Sequence, residues 1–175
     1  MFRTLAAVAC LLGASTSATA QAQSRTCITP AENEALVAYV MPDLIGALET
    51  RCANSLPANA FLGTRSAALQ KKLEPQSDNA WPRARNAAQR FAGTSLPVDG
   101  RFEGVAKAAL APAAAAMIAQ GFDAERCRIA DRLLAELAPL PPANLAGVMA
   151  LFLELGIAEN DEVPFRVCSA TASGG

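Results

Sequence analysis

From Ala31 to Arg51 (AENEALVAYVMPDLIGALETR) the chain holds one helical phase. Val37, Val40, Met41, Leu44 and Leu48 recur at three- and four-residue steps and lead to Cys52. The phase passes through Pro42 without a slip, which predicts a single kinked helix and not a hairpin. At about 1.5 Å per residue its ends lie roughly 30 Å apart, so Cys27 and Cys52 cannot form a disulfide with each other.

The remaining segments read the same way. Thr29-Pro30 opens the first helix with an N-cap threonine, proline at the first helical position, and Glu32 and Glu34 in the first turn. A second helix is expected after Leu56-Pro57, ending near Leu73 before Pro75. A third runs from about Pro82 to Phe91 and a fourth from about Arg101 to Gln120, interrupted at Pro112. A fifth is capped by Asp123, and a sixth opens at Leu140-Pro141-Pro142 and ends at Gly156. No stretch shows the strict alternation and β-branched enrichment of strands. The expected fold is all-α, a single-domain bundle of about five to six helices. A short echo, SLPANAFLG (55–63), SLPVDGRFEG (95–104) and PLPPANLAG (139–147), reads as a recurring helix start in which leucine packs under the first turn.

Ahead of this lies a different kind of segment. Arg3 is followed by an apolar run from Leu5 to Gly13, then by small and polar residues that fit the cleavage rule at Ala18-Thr19-Ala20 and Ala20-Gln21-Ala22. Residues 1–22 are expected to be a cleaved secretory signal peptide, and 23–175 the exported domain, with a flexible tail from about 169 to 175. That reading makes the protein periplasmic or secreted. No later stretch is expected to be long and apolar enough to cross a membrane. Removing Arg3 takes the formal net charge from −1 to −2, which argues against nucleic acid as a partner.

Export also settles the cysteine arithmetic. Cys10 leaves with the leader, and Cys27, Cys52, Cys127 and Cys168 remain as an even set for two disulfides. If six helices alternate up and down, Cys127 returns to the end that holds Cys27. The preferred pairing is therefore Cys27–Cys127 with Cys52–Cys168.

Chemistry is constrained by a blank: the chain has no histidine. Ser-His-Asp and Cys-His catalysis and histidine metal sites are excluded, and no glycine-rich phosphate loop is present. No cofactor and no catalytic residue is assigned. Three constellations stand out. Trp81, followed by Arg83, Arg85 and Arg90, is the candidate ligand-binding set, with the arginines gripping an anion beside the only tryptophan. The loop Glu159 to Glu162 offers oxygen ligands for Ca²⁺, without EF-hand spacing. Glu125, Arg128, Asp131, Arg132 and Glu136 have the spacing of an ion-pair ladder on a helix surface.

The region from Arg51 to Arg101 carries eight basic residues against three acidic ones, while Phe102 onward carries five against nine. A basic face for an anionic partner, or mutual neutralisation of helices, both follow from that split. Alanine supplies much of the apolar content and aromatics only 5%, which predicts close helix packing through small side chains. The functional expectation is a non-enzymatic binding or envelope-associated module with an anionic or protein partner. The alternatives are a carrier of a small apolar or amphipathic ligand between helices, and a hydrolase using paired Asp/Glu.

Overall fold

In the computed structural model, residues 27–92, 100–158 and 166–168 are described. The expected leader (residues 1–22), the candidate Ca²⁺-binding stretch Glu159–Glu162 and the expected tail from about 169 lie outside them. The described residues form six helices: α1 (Pro30–Cys52), α2 (Phe61–Thr64), α3 (Ser66–Ala92), α4 (Gly100–Gln120), α5 (Ala124–Leu137) and α6 (Pro142–Ala158). Two short strands, β1 (Cys27–Ile28) and β2 (Arg166–Val167), pair in parallel and bring the two ends of the domain together.

α1 forms as its sequence dictates. Thr29 accepts from the Glu32 N–H at 3.2 Å, and Glu32 Oε2 accepts from the Thr29 N–H at 2.8 Å, a complete capping box. The helix continues unbroken through Pro42 to Cys52. It is the central element, with α3, α4 and α6 packed around it. α5 is started by Asp123, whose carboxylate accepts from the Glu125 and Arg126 N–H groups. Those bonds hold its pKa below the ordinary carboxylate value. Leu56 and Leu140, from the first and third copies of the echo, both pack against the buried cluster.

α3 departs from expectation. The two helices expected on either side of Pro75 are one, running from Ser66 to Ala92 through both Pro75 and Pro82. Both prolines sit on the exposed side, so the carbonyls they leave without a helical partner can turn to water. On the inner side Ala80, Ala84 and Ala87 are buried, Ala84 and Ala87 completely. Side chains this small let α3 lie close along α1. Gly46 marks one such approach, since a Cβ there would meet Gln70 Oε1 at 3.2 Å.

Merging two helices into one removes a chain reversal and corrects the disulfide pairing. α3 runs antiparallel to α1, as the contacts Ser66–Glu49, Ser77–Tyr39 and Arg90–Glu32 show. α4 therefore runs parallel to α1, with Lys107 bonded by Tyr39 and the Phe122 carbonyl by Arg51. Cys127 thus arrives at the C-terminal end of α1 and bonds Cys52, while Cys168 returns to Cys27. The expected pairing of Cys27 with Cys127 and of Cys52 with Cys168 does not form, because the single helix α3 leaves one chain reversal fewer than two separate helices would. Two disulfides belong to an oxidising, extracytoplasmic environment.

A second correction concerns α4. Phe102–Gln120 is long and apolar enough, by length and composition, to cross a membrane: 19 residues of mean hydropathy 1.3, only 17% of them buried. Its alanines, each weakly apolar, raise the average over a full membrane-spanning length. One helix of this kind is weak grounds for a span.

Candidate functional site

Trp81 sits mid-helix in α3 and is 5% exposed. Its ring lies 5.0 Å from that of Tyr39 in a tilted stack. Its indole N–H donates to Glu103 Oε1 at 3.1 Å, and Arg85 Nη1 reaches the same oxygen at 2.7 Å. Trp81 and Arg85 therefore converge, but on the protein's own carboxylate. Arg90 is engaged elsewhere, paired with the capping-box Glu32 at 3.3 Å. Arg83 is exposed on the surface of α3. The place where an anion would sit against Trp81 and Arg85 is filled by Glu103, which ties α4 to α3.

α4 continues through Pro112 without the expected interruption, and a pocket of about 320 Å³ beside that proline is lined by Tyr39, Asp43 and Lys107. The Tyr39 hydroxyl donates to the Lys107 carbonyl. Burial pushes its pKa from 10.0 up to about 12, and the Asp43 carboxylate adds to the rise. Burial also pushes the Asp43 carboxyl up. A phenol this reluctant to ionise serves as a fixed donor and not as a base. Among the described residues no group of three or more His, Cys, Asp or Glu could hold a metal ion.

The Tyr39 shift has a measurable consequence. Between pH 10 and 12 the unfolded chain loses the phenolic proton while the folded chain keeps it. Stability present below pH 10 should thus fall as pH rises through 12, by up to about 2–3 kcal/mol. Tyr39 is the only tyrosine, so its absorbance titration reads the shift directly. Urea unfolding across the same range should lose this slope in Tyr39→Phe. An unchanged slope would remove the explanation.

The expected ladder on α5 does not form. Asp131 accepts instead from the Leu62 N–H at 2.7 Å, satisfying the start of α2, and Arg128 bonds the Ala124 carbonyl. The opposite side of α5 carries the feature that sequence reading missed. Met41, Leu44 and Leu48 of α1, Ile129 and Leu133 of α5, and Met149 of α6 line an apolar groove of about 250 Å³. The one charged residue on it is Arg126, whose guanidinium donates to the Gly121 carbonyl. A signal was available: Ile129 and Leu133 stand at i and i+4 on the helix whose charges drew attention. Comparison with protein-family models, curated proteins and solved structures found no match to this chain. The groove is thus weighed on its chemistry alone. With two methionines and no acid–base pair, it is suited to holding apolar groups and not to transforming them.

Proposed function

We propose that the chain is an exported module of the cell envelope, periplasmic or secreted after loss of residues 1–22, that works by binding and without catalysis. Its site is the groove between α1, α5 and α6. The observation that carries this reading is the groove's lining, apolar throughout except for Arg126. At about 250 Å³ it is smaller than the roughly 300–1,000 Å³ that encloses a drug-sized ligand. It fits a few apolar side chains presented by a protein partner, in the manner of a helix laid in a groove. A carrier of a short amphipathic ligand is the second reading, and Arg126 favours it by offering an anionic head a counter-charge.

An anionic naphthalene dye that fluoresces in apolar sites tests the groove as the site. The chain, purified without reductant, should bind it saturably. Ile129→Asp, at a position 60% exposed, should weaken binding at least tenfold, about 1.4 kcal/mol, with unchanged far-UV circular dichroism. Because the dye is itself anionic, the two readings are separated with a short fatty acid and the matching uncharged alcohol. Arg126→Gln should weaken the acid tenfold and spare the alcohol if an anionic head is the natural occupant, and should change neither if apolar side chains are. Dye binding indifferent to Ile129→Asp would defeat the groove as the site. Native mass spectrometry of the same material should show cleavage after Ala22 and the mass deficit of two disulfides.

A further inference from the structure

Pro112 has no N–H to give the carbonyl of Ala108, one turn before it, although α4 runs on through both. Ala108 and Pro112 line the same pocket of about 320 Å³ as Tyr39, Asp43, Gly104 and Lys107. The carbonyl that loses its helical donor thus belongs to a residue of the pocket wall. The Tyr39 hydroxyl gives its proton to the Lys107 carbonyl, which leaves its oxygen able to accept.

Asp43 supplies the charge. Its carboxylate is half-buried, and among the described residues only its own backbone N–H reaches it. The basic side chain in the pocket wall, Lys107, is spent on Asp78 at 2.8 Å. Asp43 lies near enough to Tyr39 for its charge to raise the pKa of the phenol. Burial raises the pKa of Asp43 itself, so at neutral pH its ionised carboxylate costs the fold stability. An unpaired carboxylate kept in a pocket at that cost, beside two further acceptors, is furnished for a ligand.

We infer that this pocket takes a primary ammonium group carried on a short aliphatic body. An ammonium has three N–H donors and no acceptor. The Asp43 carboxylate, the Ala108 carbonyl and the Tyr39 oxygen can each receive one, the first as a charge-assisted bond. One carboxylate balances one ammonium. A divalent metal asks for more, and among the described residues no group of three or more His, Cys, Asp or Glu could hold one. Gly104 leaves room for the aliphatic body, since a Cβ there would meet nothing within 4 Å. The pocket shares no residue with the groove between α1, α5 and α6, so the two sites can be filled, and fail, separately.

Titration with n-butylammonium chloride at constant ionic strength tests this on the full chain, expressed in an exporting host and purified without reductant. Amide NMR should show saturable shifts at residues 39–43 and 104–112, with a dissociation constant in the millimolar range. Butan-1-ol should leave those amides unmoved. Asp43→Asn should weaken amine binding at least tenfold and, by removing a half-buried charge, leave the protein no less stable to urea. Gly104→Leu, at an exposed helix position, should block binding with unchanged far-UV circular dichroism. A wild type without saturable shifts, or binding indifferent to Asp43→Asn, would overturn the inference. So would an equal response to butan-1-ol or to potassium chloride, which would leave an apolar hollow or a bare charge effect in place of an ammonium site. A Gly104→Leu protein that binds like wild type would overturn the pocket as the place of binding.

Discussion

Trp81→Ala is expected to destabilise the fold by about 3–5 kcal/mol. The indole is 5% exposed, and its buried neighbours in the same cluster are Ala35, Ala38, Ala80, Ala84, Ala111, Ala146 and Tyr39. The buried neighbours other than Tyr39 are alanines from four helices, and the longer Leu36, Val40 and Leu110 are only partly buried against the cluster, so the hole is incompletely refilled and most of the cavity penalty applies. The substitution also removes the indole N–H from Glu103, leaving that carboxylate to Arg85 alone. Trp81→Phe separates the two contributions. It keeps most of the ring volume against Tyr39 and loses the hydrogen bond, and should cost about 1–2 kcal/mol. Urea unfolding followed by far-UV circular dichroism reads both variants without relying on the fluorescence of the only tryptophan. A Trp81→Ala midpoint close to wild type would mean that α3 and α4 are held together by something other than this cluster.

The same residue shows where sequence reading stops. That α1 is one helix through Pro42, that Thr29 caps it and that Asp123 starts α5 are local facts, set by residues within one or two turns. Proline in mid-helix is the harder case. Its cost of about 3 kcal/mol or more ends a helix unless packing on the other side offsets it. At Pro75 and Pro82 that packing comes from Ala80, Ala84 and Ala87 against α1, which no window around the prolines reveals. One misjudged helix end changed the number of reversals, and the number of reversals decided which cysteines meet. The candidate site followed a similar course. Trp81 and Arg85 do converge, four residues apart on α3, but the group that joins them is Glu103, on a different helix. Nothing in the spacing of Trp81, Arg83, Arg85 and Arg90 signals that a carboxylate from α4 already lies between two of them. The groove escaped because its lining comes from three helices, and on α5 the more visible charges masked the i, i+4 pair Ile129 and Leu133.

The two disulfides should contribute unequally, with the buried one dominant. Cys52 and Cys127 are 0% and 1% exposed and belong to the main core cluster with Leu48, Leu62 and Leu134. Their bond closes a loop of 75 residues, for which chain entropy alone predicts about 4 kcal/mol. Replacing both by alanine also leaves a gap in packed core, so a loss of about 4–5 kcal/mol is expected. Cys27–Cys168 spans 141 residues, yet it encloses the first bridge. With Cys52–Cys127 intact the freedom it removes is that of the two outer segments, Cys27–Cys52 and Cys127–Cys168, for which chain entropy also predicts about 4 kcal/mol, so the ranking rests on the packing around each bridge. The local environment of Cys27–Cys168 is lighter: two-residue strands, with the Cys168 N–H bonded to the Ile28 carbonyl at 2.7 Å. The Cys27→Ala/Cys168→Ala variant, which opens no gap in packed core, should lose about 3–4 kcal/mol and keep its helical circular dichroism. The inner double variant should show a reduced transition temperature and a broadened transition, as α5 loses its covalent hold on α1. Thermal unfolding of both variants under identical non-reducing conditions decides the ranking. An outer bridge that proved the costlier to remove would show that the pairing of β1 with β2 closes the fold more strongly than the Cys52–Cys127 bond does.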